Sequence, residues 1–319
     1  MEDYPRTQSD FENRFSSEEA CREYLIKLRW PEGFQCPRCS YDESWSLGNG
    51  LFKCARCKRK TSVTAGTIFE GTRKPLRLWF SAIWWIIGQK NGASALGIQR
   101  VLGFGSYETA WSWLHKLRRA MVRSGRDRLS GVIEVDETYI GGKKYGKRGR
   151  GAEGKALVVI AAQLDGTRIG RIRLTRVPDA SGRSLEGAVQ QMTQEGSVIR
   201  TDGWTGYDNL EDLGYEHEIV CKESDVGESL LLPHCHKVAS LLKRWLLGTH
   251  QGGISHDHLE YYLDEYTFRF NRRTSRSRGK LFYRLLQQAV ITDPTPYSRL
   301  IKGVRGPKKL YHNMLWSVH

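Results

Sequence analysis

The chain has 319 residues, of which 39% are hydrophobic and 27% are charged, and this balance predicts two or three folded domains. Lysine and arginine total 50 against 35 acidic residues, so the formal net charge is +15 and a polyanionic partner is favoured. The most apolar stretch, residues 78–88, is too short to cross a bilayer. It therefore predicts a buried helix, and no membrane partner is expected.

The first predicted element is a short helix in an N-terminal arm, residues 1–29. Serine is a favoured N-cap residue, and Ser16 or Ser17 precedes a helical pattern that runs to about Leu28.

A zinc ribbon is predicted next, over residues 30–63. Its four thiols form two Cys-x-x-Cys pairs with fourteen residues between them: Cys36, Cys39, Cys54 and Cys57. This spacing suits a structural zinc ion held by four thiolates. Between the pairs, Asn49-Gly50 lies between two short apolar segments and predicts a hairpin that returns the chain to the second pair.

The cysteines outside the ribbon are Cys21, Cys221 and Cys235, an odd number without framework spacing. They favour a reducing compartment, and the N-terminus carries no signal-peptide pattern. A cytoplasmic protein is therefore expected.

Residues 75–124 predict three helices. The first follows Pro75, the second spans residues 94–102, and the third begins near Ser106 after a glycine turn. The last two have the outline of a helix-turn-helix, although plain helical packing explains the pattern equally well. Basic residues in the third helix are candidate DNA contacts: Lys116, Arg118 and Arg119.

Residues 131–285 change to alternating strands and helices, followed by a C-terminal tail, residues 286–319. Strands are predicted at 131–136, 155–162, 168–174, 197–202 and 216–220, and helices at 184–193, 234–247 and 256–271. This order predicts a mixed α/β sheet covered by helices.

Two predicted strands end in an aspartate, Asp136 and Asp202. If the strands are neighbours, both carboxylates can share a pair of divalent ions, and oxygen ligands suit magnesium or manganese. Alternation along the strand puts Glu134 on the same face as Asp136, as a possible accessory carboxylate. The alternative is that both aspartates only end strands or begin turns.

Two basic segments in this half are candidate DNA contacts. The first is a glycine-rich loop, whose alternative role is a solvated surface loop, and the second is an acid-free run near residue 270. The residues singled out are Lys143, Lys144, Lys147, Arg148, Arg150, Arg272 and Arg273.

Several sequence blocks resemble a known family over roughly residues 11–297. After the ribbon and the helix-turn-helix pattern come V-D-E-T-Y-I-G-G, T-D-G-W-x-G-Y, L-K-R-W-L-L-G-T-H-Q-G and Y-L-D-E-Y-T-F-R-F-N-R-R. Together they resemble the zinc-ribbon insertion-sequence transposases of bacteria that have an ISXO-like domain. The resemblance implies a ribonuclease-H-like, DDE-type catalytic domain with Asp136 and Asp202 as the first two metal-binding acids.

The third acidic position departs from the family pattern. Many relatives have an acid seven places before the lysine of the L-K-R block, and here His236 stands seven places before Lys243. Two helical turns separate them, so His236 and Lys243 share one face of the helix. Lys243 is expected to hold a DNA phosphate while His236 reaches the metal. Asp225 and Glu228 are the acids expected to substitute if His236 is not the ligand.

The resemblance implies a transposase that binds the terminal inverted repeats of its element, cleaves them and joins them to target DNA. It would work in the cytoplasm at the nucleoid, as a homo-oligomer assembled on double-stranded DNA. Two alternatives stay open: a DNA-binding regulator without catalysis, and a metal-dependent, structure-selective nuclease.

Overall fold

The structure, a computed structural model, describes residues 2–123, 125–141, 155–220 and 231–303. It divides into two compact units, one formed by Met1–Gly125 with Ser275–His319 and the other by Arg126–Thr274. The second unit thus ends before residue 285, where the sequence-based boundary was placed.

The helices and strands are given in chain order. The first part contains α1 (Gln8–Arg14), α2 (Glu18–Arg29), β1 (Ser44–Ser46), β2 (Leu51–Cys54), β3 (Lys60–Ser62), α3 (Leu76–Gly88), α4 (Ala95–Leu102) and α5 (Tyr107–Ala120). The second unit contains β4 (Val132–Ile140), β5 (Ala156–Asp165), β6 (Arg168–Val177), α6 (Gly182–Met192), β7 (Val198–Thr201), β8 (Glu216–Ile219), α7 (Pro233–His250) and α8 (Leu259–Phe270). The chain then returns to the first unit with α9 (Arg278–Ala289) and α10 (Tyr297–Leu300).

Serine caps begin three helices of the first unit where the sequence predicts them. Ser17, Ser94 and Ser106 each accept a hydrogen bond from a backbone N–H in the first turn of α2, α4 and α5. Gly103 ends α4 with a φ of 64°, a left-handed conformation that favours glycine. The expected helix, glycine turn and helix therefore form.

Phe282 of α9 explains why this late helix belongs to the first unit. Its ring lies 5.5 Å from that of Phe11 and 5.6 Å from those of Phe15, Phe80 and Trp84, measured between centroids. Aromatic side chains bury large areas, so this cluster joins α9 to α1 and α3.

Two of the basic residues predicted to contact DNA from α5 are buried. Arg118 is 1% exposed and Arg119 is 4% exposed, while Lys116 is partly exposed. Buried side chains run around most of α5 rather than along one stripe. The prediction that Arg118 and Arg119 contact DNA is wrong, because both side chains are buried.

The sheet of the second unit has the strand order β6-β5-β4-β7-β8. Strands β4, β5 and β6 pair antiparallel, and β7 and β8 run parallel to β4. Helix α6 packs on one face, around Ile133 and Val135, and helices α7 and α8 pack on the other, around Val158 and Ile160. The mixed sheet covered by helices is confirmed, and its order and strand directions are those of a ribonuclease-H-like sheet.

The outer edge of the sheet, strand β6, is closed by the residues that follow α8. The Asn271 amide accepts from the N–H of Ile172 at 2.7 Å and donates to its carbonyl at 3.0 Å. The Arg273 guanidinium donates to the carbonyls of Ile169 and Gly170. An unpaired edge invites association with another chain, so these side chains protect it.

Arg272 and Arg273 were predicted to contact DNA, and both guanidinium groups are engaged within their own unit. Arg273 bonds the edge strand, and Arg272 lies 4.2 Å above the centre of the Phe268 ring. Their contacts give both residues a structural role, and DNA contact by either stays a prediction.

Candidate active site and zinc centre

The four ribbon cysteines converge where the sequence predicts a zinc site. The hairpin forms, with Ser46 opposite Phe52, and its turn residues Asn49 and Gly50 have φ values of 51° and 70°. All four sulfur atoms lie within 4.8 Å of one another. The Sγ atoms of Cys36 and Cys57 are 3.5 Å apart, and those of Cys39 and Cys54 are 3.7 Å apart.

These sulfur distances fit a metal and not a disulfide. Four thiolates at about 2.3 Å from zinc form a tetrahedron with edges of about 3.8 Å. Burial raises the pKa of Cys36, but hydrogen bonds from the backbone N–H groups of Arg38 and Cys39 and from the thiols of Cys57 and Cys39 together lower that pKa to about 6. The Cys36 sulfur thus favours the thiolate form that zinc binds. The N–H of Tyr41 lowers the pKa of Cys39, but burial and hydrogen bonds with the other three cysteines outweigh it and raise that pKa to about 11.

The register of two parallel strands brings the two candidate aspartates together. Val132 pairs with Val198 and Glu134 with Arg200. Continuing that register by two residues puts Asp202 beside Asp136, and neighbouring strands are about 4.8 Å apart. The Asp202 charge also raises the pKa of Asp136, which places the two carboxylates within electrostatic reach.

The local backbone orients each carboxylate differently. Strand β4 continues through Asp136 to Ile140, so Asp136 lies within the strand and not at its end as predicted. Asp202 follows the last residue of β7 and accepts from the N–H of Trp204 at 3.1 Å. Gly203 makes this turn with a φ of 76°, and a Cβ there would lie 2.8 Å from Ile219.

Helix α7 carries the other two predicted site residues. The His236 Nε2 atom lies 3.4 Å from the Asp136 Oδ2 atom. Burial lowers the pKa of Lys243, nearby Lys155 lowers it further, and Asp136 acts in the opposite direction. The structure therefore brings Asp136, Asp202 and His236 together, and the exposed Lys243 lies within electrostatic reach of Asp136.

The surroundings of Asp136 disfavour its ionised carboxylate, and a bound cation would stabilise that form. Burial is the largest influence on its pKa, and the charges of Glu137 and Asp202 add to it, so the pKa rises to about 6 although His236 opposes the shift. A divalent ion between Asp136 and His236 would bind atoms about 3 Å apart, close to the observed 3.4 Å. Two carboxylates and an imidazole suit magnesium less well than manganese.

Among the described residues, the four cysteines are the only group of three or more His, Cys, Asp or Glu side chains whose donor atoms lie within 4.8 Å of one another. The carboxylate site is thus more open than the zinc centre. The side chains of Asp136 and His236 nevertheless suit an ion. One oxygen of Asp136 accepts from the N–H of Glu137, and the other oxygen faces His236.

Three residues around this site have structural roles. Glu134 is not an accessory carboxylate, because both oxygens accept hydrogen bonds at the start of α7. Cys235 is fully buried and its thiol faces the carbonyls of Glu134 and Ile160, so it is no nucleophile. Tyr207 is fully buried, and its hydroxyl donates a hydrogen bond to Glu137.

Several predicted positions lie outside the described residues. They are the loop basics Lys143, Lys144, Lys147, Arg148 and Arg150, the alternative acids Asp225 and Glu228, and Cys221.

A pH experiment tests the electrostatics of Asp136. Its pKa in the folded chain, about 6, is above the ordinary 3.8, so the folded state binds the proton more tightly and loses stability as the pH rises through this window. Above pH 6 the ionised carboxylate costs about 3 kcal/mol. In zinc-loaded protein free of magnesium and manganese, Asp136→Asn should raise the Tm at pH 8 and change it little at pH 4. Equal effects at both pH values, by calorimetry, would contradict the shifted pKa.

The ribbon and the ribonuclease-H-like unit together define a class, the nucleic-acid enzymes that join a zinc-binding module to this catalytic fold. Residues 16–60 match the family model described as the transposase zinc-ribbon domain. Residues 128–271 match that of the ISXO2-like transposase domain. The chain belongs to the insertion-sequence transposases with this ribbon and this domain, and it is a DNA transposase.

A curated relative agrees with this assignment. The chain is 29% identical over 288 residues to a protein from Halobacterium salinarum described as an uncharacterized protein in transposable element ISH50. The match covers 83% of this chain and 94% of the relative.

A solved structure, the Mos1 strand transfer complex, aligns with 69% of this chain and 77% of its own at 14% identity. Its TM-score of 0.27 is too low to establish a shared fold. Separately, no helix in the described ranges has both the length and the apolar character needed to cross a membrane.

Proposed function

We propose that the chain cleaves the ends of its own insertion sequence and joins them to target DNA, with Asp136, Asp202 and His236 holding two divalent ions. Magnesium or manganese, when bound, lowers the pKa of a water and stabilises the leaving oxygen. The observation that supports this proposal best is the β4–β7 register, which aligns Asp202 with Asp136 while α7 brings His236 to 3.4 Å.

The residues of the site have separate roles in this proposal. The two aspartates and the imidazole bind the ions, and the Lys243 ammonium, which lies within electrostatic reach of Asp136, holds a phosphate oxygen of the scissile strand. In cleavage, the oxygen of water bonds to phosphorus and the bond to the 3′-oxygen breaks. In joining, the freed 3′-hydroxyl attacks a target phosphodiester and displaces its 3′-oxygen. No covalent bond to the protein forms, in keeping with the buried thiol of Cys235.

Joining two element ends to one target requires a site for each end. Assembly of more than one copy on the DNA is therefore part of the proposal.

DNA binding by the first unit is proposed to use an exposed face of the ribbon. Trp45 on β1 is 50% exposed, and the Nζ atoms of Lys58 and Lys53 lie 4.5 and 5.6 Å from the centre of its ring. An exposed aromatic ring beside two ammonium groups offers a base a stacking surface and its phosphates a counter-charge.

Trp45→Ala should weaken binding to element-end DNA by about tenfold, because base stacking contributes about 1–3 kcal/mol. Trp45→Phe, the matched control, should retain most of the affinity. Fluorescence anisotropy at fixed salt measures both. An unchanged affinity for Trp45→Ala would remove the ribbon face from the proposed DNA surface.

The catalytic proposal is tested by supplying element-end duplex and target DNA to zinc-loaded protein with magnesium or manganese. Cleaved ends joined to the target are expected. Cleavage without joining would favour the structure-selective nuclease, and inactivity in both metals would favour the regulator.

A further inference from the structure

Helix α7 begins without a cap of its own. Its N-cap residue, Leu232, has no side chain that accepts a hydrogen bond, and Pro233 at the first position has no N–H. The next two N–H groups, of His234 and Cys235, therefore need acceptors from elsewhere in the chain.

Glu134 of β4 supplies these acceptors from a hundred residues away. Its Oε2 atom accepts from the N–H of His234 at 2.8 Å and from the N–H of Cys235 at 3.0 Å. Its Oε1 atom lies 2.5 Å from the Nδ1 atom of His234. The residue is 4% exposed, so an unpaired carboxylate here would be costly and both oxygens depend on these partners.

The main chain of the same residue is also joined to the helix. The Cys235 thiol donates to the carbonyl oxygen of Glu134 at 3.2 Å. The start of α7 is thereby fixed on β4 by both the side chain and the backbone of Glu134. A carboxylate at a helix N-terminus is further stabilised by the helix dipole.

Glu134 and Cys235, which contact each other, lie close in sequence to the two residues of the proposed metal site. Two residues after Glu134, on the same strand face, is Asp136, and the residue after Cys235 is His236. The contact between His236 and Asp136, at 3.4 Å, therefore follows from the contact between Cys235 and Glu134.

We propose that Glu134 is a positioning residue, which fixes α7 on β4 so that His236 meets Asp136 at the metal site. The inference rests on the proposed function, since it requires Asp136 and His236 to share an ion. Partners that orient metal ligands affect affinity about 10- to 100-fold in other proteins.

The chain offers a matched control in Glu18. Its carboxylate accepts from the N–H of Leu76 at 2.8 Å and from the N–H of Arg77 at 3.1 Å, at the start of α3. That helix also begins with no side-chain cap on its N-cap residue, Pro75. Glu18 and Glu134 thus perform the same helix-capping chemistry, but Glu18 belongs to the unit that lacks the carboxylate site.

The test is the affinity of zinc-loaded protein for manganese in the absence of DNA. The electron paramagnetic resonance signal of free Mn²⁺ measures this binding. Four variants are compared with the unmodified chain: Glu134→Gln, Glu18→Gln, His234→Gln and Asp136→Asn. Glutamine keeps the size of the side chain and replaces one acceptor oxygen with an NH₂ group. Thermal unfolding of each variant reports the general effect of losing a cap.

Both cap variants should lose a similar amount of thermal stability, but only Glu134→Gln should weaken manganese binding, by about tenfold. His234→Gln removes the imidazole contact and keeps the backbone contacts, so it should stay folded and weaken binding by a smaller factor, about threefold. Should Glu134→Gln fail to fold, His234→Gln decides the question.

Unchanged manganese affinity in Glu134→Gln, or in His234→Gln if the first variant is unfolded, would overturn the positioning role. Equal weakening in Glu18→Gln would do the same, because the effect would then be general destabilisation. The proposed function fails separately if Asp136→Asn binds manganese as well as the unmodified chain, and the positioning role then fails with it.

Discussion

Asp136→Asn is expected to lower metal-dependent cleavage of element-end DNA by about a thousandfold or more. The change removes a charged ligand from the site, and metal ions supply several kcal/mol of transition-state stabilisation in such reactions. Asp202→Asn should have an effect of similar size, because the β4–β7 register aligns Asp202 with Asp136 and both aspartates are proposed to bind the same ions. Single-turnover cleavage in manganese measures both rates.

The control for this experiment is Asp165→Asn, at the exposed end of β5. It makes the same chemical change in the same unit, five residues along β5 from Ile160, the partner of Asp136. Cleavage by this variant should match that of the unmodified chain. Substantial cleavage by Asp136→Asn would show that the carboxylate is not a metal ligand.

Removal of zinc is expected to unfold the ribbon and to weaken DNA binding. The ribbon sheet has three strands of three or four residues, too little structure to persist without metal. Structural zinc contributes about 10–16 kcal/mol to such small modules. Hydrogen exchange should accelerate across residues 36–62 on chelation.

The second unit provides the internal control in the same sample. Strands β4 to β8 contain none of the four cysteines, so exchange in residues 156–201 should not change. Unchanged exchange in residues 36–62 after chelation would contradict the zinc assignment. Faster exchange throughout the chain would show that zinc supports more than the ribbon.

Elements with local causes were predictable from the sequence. Ser17, Ser94 and Ser106 cap helices because the acceptor and its donor lie within three residues. Asn49-Gly50 forms the ribbon turn because both residues accept a positive φ. The cysteine spacing predicted the zinc centre because all four ligands lie in two Cys-x-x-Cys pairs that are close in the sequence.

Features that depend on distant partners were not predictable. The sequence gives no sign that Arg118 and Arg119 are buried, because arginine on a helix is normally exposed. Strand β4 extends beyond Asp136 because β5 pairs with it as far as Ile140, whereas the local sequence resembles a turn.

The role of Glu134 depends on a helix one hundred residues later, yet one signal was present. Pro233 preceded by Leu232 shows a helix start without a local cap, which requires an acceptor from another element. Alternation along β4 placed Glu134 and Asp136 on one face, and this part of the prediction was right. What could not be deduced was which of the two carboxylates would face the helix N-terminus.

The most direct test of the catalytic account is anomalous diffraction at the manganese edge from crystals of the protein with element-end DNA. The account predicts manganese about 2.2 Å from carboxylate oxygens of both Asp136 and Asp202, with the His236 Nε2 atom in the same coordination shell. Manganese bound at Asp136 without Asp202, or bound only elsewhere in the chain, would contradict it.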